Sequence, residues 1–129
     1  MVISAPLSGC LKSENGETSA DIKISAKTDK SVYSSYEKII LDVKVTASME
    51  LNDVTVSAQG ISVYNKNYFN KSQTINLAAR KSQNFEFTET LPSCNSCSGL
   101  RPGSYVINIS VFHDGKILSE EKININIKQ

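Results

Sequence analysis

From Asp21 onward, apolar residues fall at every second position in short runs, and turn-forming residues interrupt them at intervals of roughly 8 to 15 positions. Ile22, Ile24 and Ala26 share one face of a first strand, and Ile39, Leu41, Val43 and Val45 line one face of a longer second. Val54, Val56 and Ala58 make a third strand ending at Gly60, and Ile61 and Val63 open a fourth that runs into the polar-aromatic stretch 64–70. Thr74 to Leu77, then Phe85 with Phe87, supply two further short strands. After a loop over 91–103 the alternation returns at Tyr105, Ile107, Ile109 and Val111. Asp114-Gly115, within the turn His113 to Lys116, is a pair that tolerates the positive φ angles of a two-residue hairpin. The returning strand carries Ile117, Ile123, Ile125 and Ile127, and its polar middle, Ser119 to Lys122, predicts a bulge. The period and the density of β-branched residues are wrong for helix. The prediction is an all-β antiparallel sandwich of seven to eight strands over residues 21–129.

The composition narrows the function classes without choosing a partner. The 129 residues are 40% hydrophobic, with no apolar run near the ~18 residues of a transmembrane helix. Fourteen basic and 13 acidic residues give a net charge of +1, so no basic footprint points to nucleic acid. Residues 1–11 are small and apolar, whereas 12–20 are polar, with nothing to bury, and read as a tether. A monomer is expected.

Leu100-Arg101-Pro102-Gly103-Ser104-Tyr105, followed by an alternating strand, resembles the turn into strand F of fibronectin type III and other immunoglobulin-like domains. The resemblance implies that Leu100 packs inward and that Tyr105 forms a tyrosine corner, its hydroxyl bonding to upstream backbone. Thr28 to Tyr33, with Glu37 ahead of a long alternating strand, is similar to the A-to-B region of prokaryotic surface immunoglobulin-like domains, with Ser35-Tyr36 where Pro-Gly is usual. The chain has no Trp for strand C and no Cys on strands B or F, which excludes the antibody type. The resemblance implies a fold and no function.

Leu7-Ser8-Gly9-Cys10 resembles the lipobox of prokaryotic lipoproteins, in which the Cys takes the lipid and becomes the mature N-terminus. This implies a remnant signal segment over 1–9, an anchor at Cys10, a tether over 10–20 and an extracytoplasmic, membrane-anchored sandwich at the cell surface. The partners it implies are an envelope protein or a glycan.

Cys94 and Cys97 sit in a loop rather than at a helix N-terminus, so nothing depresses a thiol pKa as in redox motifs. A zinc site lacks a second pair of ligands, since the remaining candidates are the remote Cys10 and the turn residue His113. In an extracytoplasmic domain the two neighbours would form a local disulfide worth about 2 kcal/mol. The alternative is an exported redox or metal-handling protein that uses the same two thiols. No activated nucleophile is evident, and Asp42, Glu86 and Glu89 read as a wet face, so the expectation is no enzyme, no cofactor and no metal. Tyr64, Asn67, Tyr68 and Phe69 place aromatics among asparagines in an expected loop, a composition suited to recognising a protein or sugar surface; the alternative is that Tyr64 and Phe69 cap the core at the end of the sandwich. An inhibitor or accessory subunit would use such a loop. Asn70-Lys71-Ser72 and Asn108-Ile109-Ser110 are sequons, making Asn70 and Asn108 glycan acceptors on an exported chain.

Overall fold

A computed structural model describes residues 21–93 and 100–128. The strands are β1 (Ile22–Thr28), β2 (Val32–Tyr33), β3 (Lys38–Ala47), β4 (Leu51–Val63), β5 (Lys66–Leu77), β6 (Ser82–Thr90), β7 (Gly103–His113) and β8 (Lys116–Ile127). They form two sheets, ordered β1-β3-β6 and β2-β8-β7-β4-β5. The fold is thus an all-β two-sheet sandwich, as the period-two pattern predicts, and immunoglobulin-like, as the resemblance implies. Ile39, Leu41, Val43 and Val45 of β3 face Val54, Val56 and Ala58 of β4 and Ile107, Ile109 and Val111 of β7 across one buried core. Phe85 and Phe87 of β6 meet edge to face, with ring centroids 5.3 Å apart, a geometry their quadrupoles favour.

Three local predictions are corrected. Gly60 does not end a strand, because β4 runs through it to Val63. At Gly60 a Cβ would lie 2.2 Å from the Val106 carbonyl oxygen and 2.6 Å from the Ile107 Cα, so only glycine allows β7 to pass so close. Ile61 then takes φ 55, which reverses the inward phase so that Gly60 and Ile61 are both buried. The stretch 64–70 is no open loop. Tyr64 and Asn65 (φ 50 and 64) form a two-residue turn between β4 and β5, both in the left-handed conformation of the hairpin type that matches strand twist. Phe69 is fully buried in the core and Tyr68 packs partly against it. The β8 bulge falls at Leu118, just before the predicted stretch, where the register shifts between Val111↔Ser119 and Phe112↔Ile117. The Asp114-Gly115 hairpin forms as expected (φ 53 and 76), although Ile117 beside it is exposed.

The chain enters the described fold at Asp21, whose N–H donates to the Ser48 hydroxyl (2.9 Å). β1 runs from there along the three-stranded sheet, and the chain then switches sheets. Val32 and Tyr33 pair in parallel with Asn126 and Ile127 of β8. At the two ends of β3, Arg80 N–H in the β5–β6 connection donates to the Ala47 carbonyl (2.8 Å), and Leu91 N–H donates to the Glu37 carbonyl (2.9 Å), which continues the β3–β6 ladder.

Candidate functional site

Antiparallel register places the start of β3, the β4–β5 turn, the start of β7 and the end of β8 at one end of the sandwich. Lys38 opposes Thr90, Val63 opposes Lys66, and Gly103 opposes Ile127. All five tyrosines of the chain lie toward this end: Tyr33, Tyr36, Tyr64, Tyr68 and Tyr105. Asp21, Ser48, Arg80 and Asp114 lie at the other, about 30 Å away along a ten-residue strand such as β3.

Three tyrosines build the end and two project from it. Tyr105 donates its hydroxyl to the Arg101 carbonyl (2.5 Å), the tyrosine corner implied by its position, and Leu100 is fully buried beneath. Tyr33 is fully buried and was not visible as core in the alternation, because β2 is two residues long. Its hydroxyl donates to Asp29 Oδ1 (2.5 Å) and accepts from the Lys30 N–H (3.0 Å). Burial first, and the Asp29 carboxylate second, push its pKa up to about 12. The same hydrogen bond, with Ile40 N–H donating to Asp29 Oδ1 (3.1 Å), holds the Asp29 carboxyl below its ordinary value. Glu37 receives Lys30 Nζ (3.0 Å) and the Ser34 N–H (2.8 Å), and these donors likewise lower its pKa. This knot fixes the segment 29–37. Tyr68 is half-buried under Lys66, whose Nζ lies 4.7 Å from the ring centroid.

Tyr64 and Tyr36 are the exposed pair, at 75% and 69%. Arg101 lies over the Tyr64 ring, 5.2 Å from its centroid, and its guanidinium donates to the Tyr64 hydroxyl. Tyr36 projects from a turn with φ 65, its N–H donating to the Pro92 carbonyl (3.4 Å). Of the predicted recognition residues, therefore, Tyr64 is presented, Tyr68 is half-covered, and Phe69 is unavailable to any partner. Asn67 is spent on the hairpin, accepting from the Ser62 hydroxyl. Sequence reasoning did not single out Tyr36 or Arg101. The signal for Tyr36 was the replacement of Pro-Gly by Ser35-Tyr36 ahead of Glu37.

Asn70 and Asn108 are both exposed, on β5 and β7. Gln59 of β4 pairs with each of them, so both sequons sit in one row across the outer face of the five-stranded sheet. Gln59 Nε2 donates to Asn70 Oδ1 (3.3 Å). Cys10, with the segments 1–9 and 10–20, and Cys94 and Cys97 lie outside the described residues.

The carboxylates separate. Asp42 and Glu86 are register partners on the outer face of the three-stranded sheet, beside a shallow depression of about 540 Å³ lined by Ser25, Lys27, Lys44 and Asn84. Their hydrogen bond, and then their mutual repulsion, raise the Glu86 pKa, because a proton held between two carboxylates relieves like charge. Glu89, expected on the wet face, instead shares the inward phase of Phe85 and Phe87. It pairs with Lys71 Nζ at 3.2 Å across the gap between β6 and β5, the edge strands of the two sheets. Among the described residues no group of three or more His, Cys, Asp or Glu could hold a metal ion. His113 lies 3.6 Å from its neighbour Asp114 at the hairpin turn.

No family model matches the sequence, and no curated protein is similar to it. Solved structures share the fold. The CARDB domain of a Pyrococcus furiosus protein, seen in solution, is 14% identical with a TM-score of 0.65, covering 86% of this chain and 97% of that one. A crystal structure of that domain in complex with di-metal ions is 15% identical with a TM-score of 0.63, covering 84% and 93%. The donor set of the described residues here does not suit a two-metal centre. Pseudomonas fluorescens alkylpurine DNA glycosylase AlkC bound to DNA also contains the fold, at 15% identity and a TM-score of 0.58, covering 84% of this chain but 31% of that enzyme.

Proposed function

We propose that the chain is a non-catalytic binding or structural module of a prokaryotic cell envelope, held at the membrane by lipid on Cys10 and presenting its tyrosine end outward. The observation that carries this reading is polarity. The segment that follows Cys10 joins the sandwich at Asp21, at the end opposite Tyr36, Tyr64 and Arg101. A lipid on Cys10 would leave that far end facing away from the bilayer. The open polar outer faces agree with a module that binds a partner. The likeness to a CARDB domain over nearly its whole length supports a self-standing module. On an extracytoplasmic chain Cys94 and Cys97 would form a local disulfide. On an exported chain Asn70 and Asn108 would carry glycans on either side of Gln59, on the side of the sandwich.

Mass spectrometry of the native gene product tests the tether. The expected result is an N-terminal peptide that begins at a diacylated or triacylated Cys10, lost together with membrane fractionation in Cys10→Ser. An unmodified Cys10 in a cytosolic product overturns it.

A further inference from the structure

Tyr36 and Tyr64 occupy a backbone conformation that their side chains oppose. Their φ angles, 65 and 50, lie in the left-handed region, where a Cβ crowds the following carbonyl and which glycine or asparagine fills most easily. Burial does not compensate, since the two rings are 69% and 75% exposed. Ile61 (φ 55) bears the same strain but is wholly buried, and Asn65 and Asp114 are residue types that tolerate the conformation. Arg80 (φ 62) is exposed too, at the opposite end. Two strained, exposed tyrosines at the same end are the pattern expected of side chains retained for a contact outside the molecule.

Charge at this end points the same way. Lys30, Lys38, Lys66, Arg101 and Lys128 gather here against three carboxylates, Asp29, Glu37 and Glu89, the last beside the Lys38–Thr90 pair. Glu89 is paired with Lys71, so six cations stand against three anions and the end is positive although the chain's net charge is only +1. Arg101 and Lys66 each occupy one face of a ring, Tyr64 and Tyr68, and present cations beside the aromatic surface. Exposed tyrosine beside arginine is the composition of protein-binding hot spots.

We propose that the tyrosine end docks on an acidic protein surface, with Tyr36 and Tyr64 as its anchors and Arg101, Lys38, Lys66 and Lys128 as its charged rim. This rests on the reading of the domain as a binding module and is independent of the lipid.

The test titrates the full chain with a glutamate–tyrosine copolymer as the acidic polypeptide, and with polygalacturonate and phosphatidylglycerol vesicles as the competing chemistries. The copolymer should bind best, and more weakly as salt rises from 50 to 300 mM. Tyr36→Gly and Arg101→Ala should each weaken it by about tenfold. Tyr36→Gly should at the same time raise Tm by about 4 °C, as the strain is relieved. Equal copolymer affinity in both variants, a lower Tm in Tyr36→Gly, or tighter binding of the polysaccharide or vesicles overturns the proposal. Copolymer binding by a chain whose native Cys10 carries no lipid sinks only the tether. A lipidated chain that ignores the copolymer sinks only the docking surface.

Discussion

Replacing Gly60 with alanine adds one carbon where β4 and β7 have no room for it. The new Cβ would sit 2.2 Å from the Val106 carbonyl oxygen and 2.6 Å from the Ile107 Cα, both backbone atoms that no rotamer change can clear. An ordinary carbon–oxygen contact needs about an ångström more, so β7 must move away from β4. Gly60↔Ile107 is the last rung of that ladder. Its loss costs about 1 kcal/mol per hydrogen bond, and the overpacking adds about 1–3 kcal/mol. The reduced freedom of the unfolded chain returns about 0.4–1 kcal/mol. The net expectation is a loss of about 1–4 kcal/mol, read as a lower urea midpoint at unchanged slope. Gly115→Ala is the control. Its φ is 76 but nothing lies within 4 Å of a Cβ there, so it should lose only about 1 kcal/mol of backbone strain. If Gly60→Ala unfolds within 1 kcal/mol of the parent, or Gly115→Ala proves the worse of the two, the close approach of the strands is not what requires glycine.

Other predictions concern polar groups. Tyr33→Phe leaves the Lys30 N–H and one Asp29 acceptor without the buried hydroxyl and should cost about 1–3 kcal/mol in urea unfolding. Asp29 and Glu37 have lowered folded pKa values, so the unfolded chain binds more protons in acid. Their stabilisation is present above the ordinary carboxylate range and should fade as pH falls through the lowered values. Glu86 has the opposite sign: its folded pKa is raised by Asp42, so its contribution is favourable in acid and lost as pH climbs through that raised value. Glu86→Gln should therefore raise Tm at pH 7 relative to the parent, with the gain shrinking toward pH 4. Removing the half-exposed pair Lys71–Glu89 as Lys71→Val with Glu89→Val should change stability by less than about 1 kcal/mol. It should nonetheless lower the onset of aggregation in light scattering, because inward-pointing charge keeps the adjacent edge strands from pairing with other chains.

Much of the architecture is written in the alternation, and the failures have local causes. The runs Ile39–Val45 and Ile107–Val111 keep strict period two because each belongs to a strand with one buried and one wet face. Between Ala58 and Val63 the period breaks, since positive φ at Ile61 turns an odd position inward. One long strand therefore resembles two short ones. Tyr33 belongs to a strand too short to show any period, whereas Phe69 was legible as a core cap, and the asparagines around it left recognition as the competing reading. Glu89 shares the parity of Phe85 and Phe87, and its charge alone suggested solvent. The tyrosine corner was legible because Leu-x-Pro-Gly-x-Tyr couples a turn to a fixed side chain. The rest of the exposed end was not, because it is assembled from three segments distant in sequence: 29–37, the 64–65 turn and Arg101.

The switch of the chain from β1 in one sheet to β2 in the other has a mechanical consequence. Asp21 and Lys128 lie at opposite ends, and β2 runs parallel to the last residues of β8. Tension applied between those two points would draw β2 and β8 in opposite directions along their length, loading the bonds from Asn126 N–H to the Ser31 carbonyl and Lys128 N–H to the Tyr33 carbonyl (both 2.9 Å) together. Such a clamp yields by sliding, all bonds at once, rather than by peeling one at a time, and would let the domain transmit a pull without coming apart.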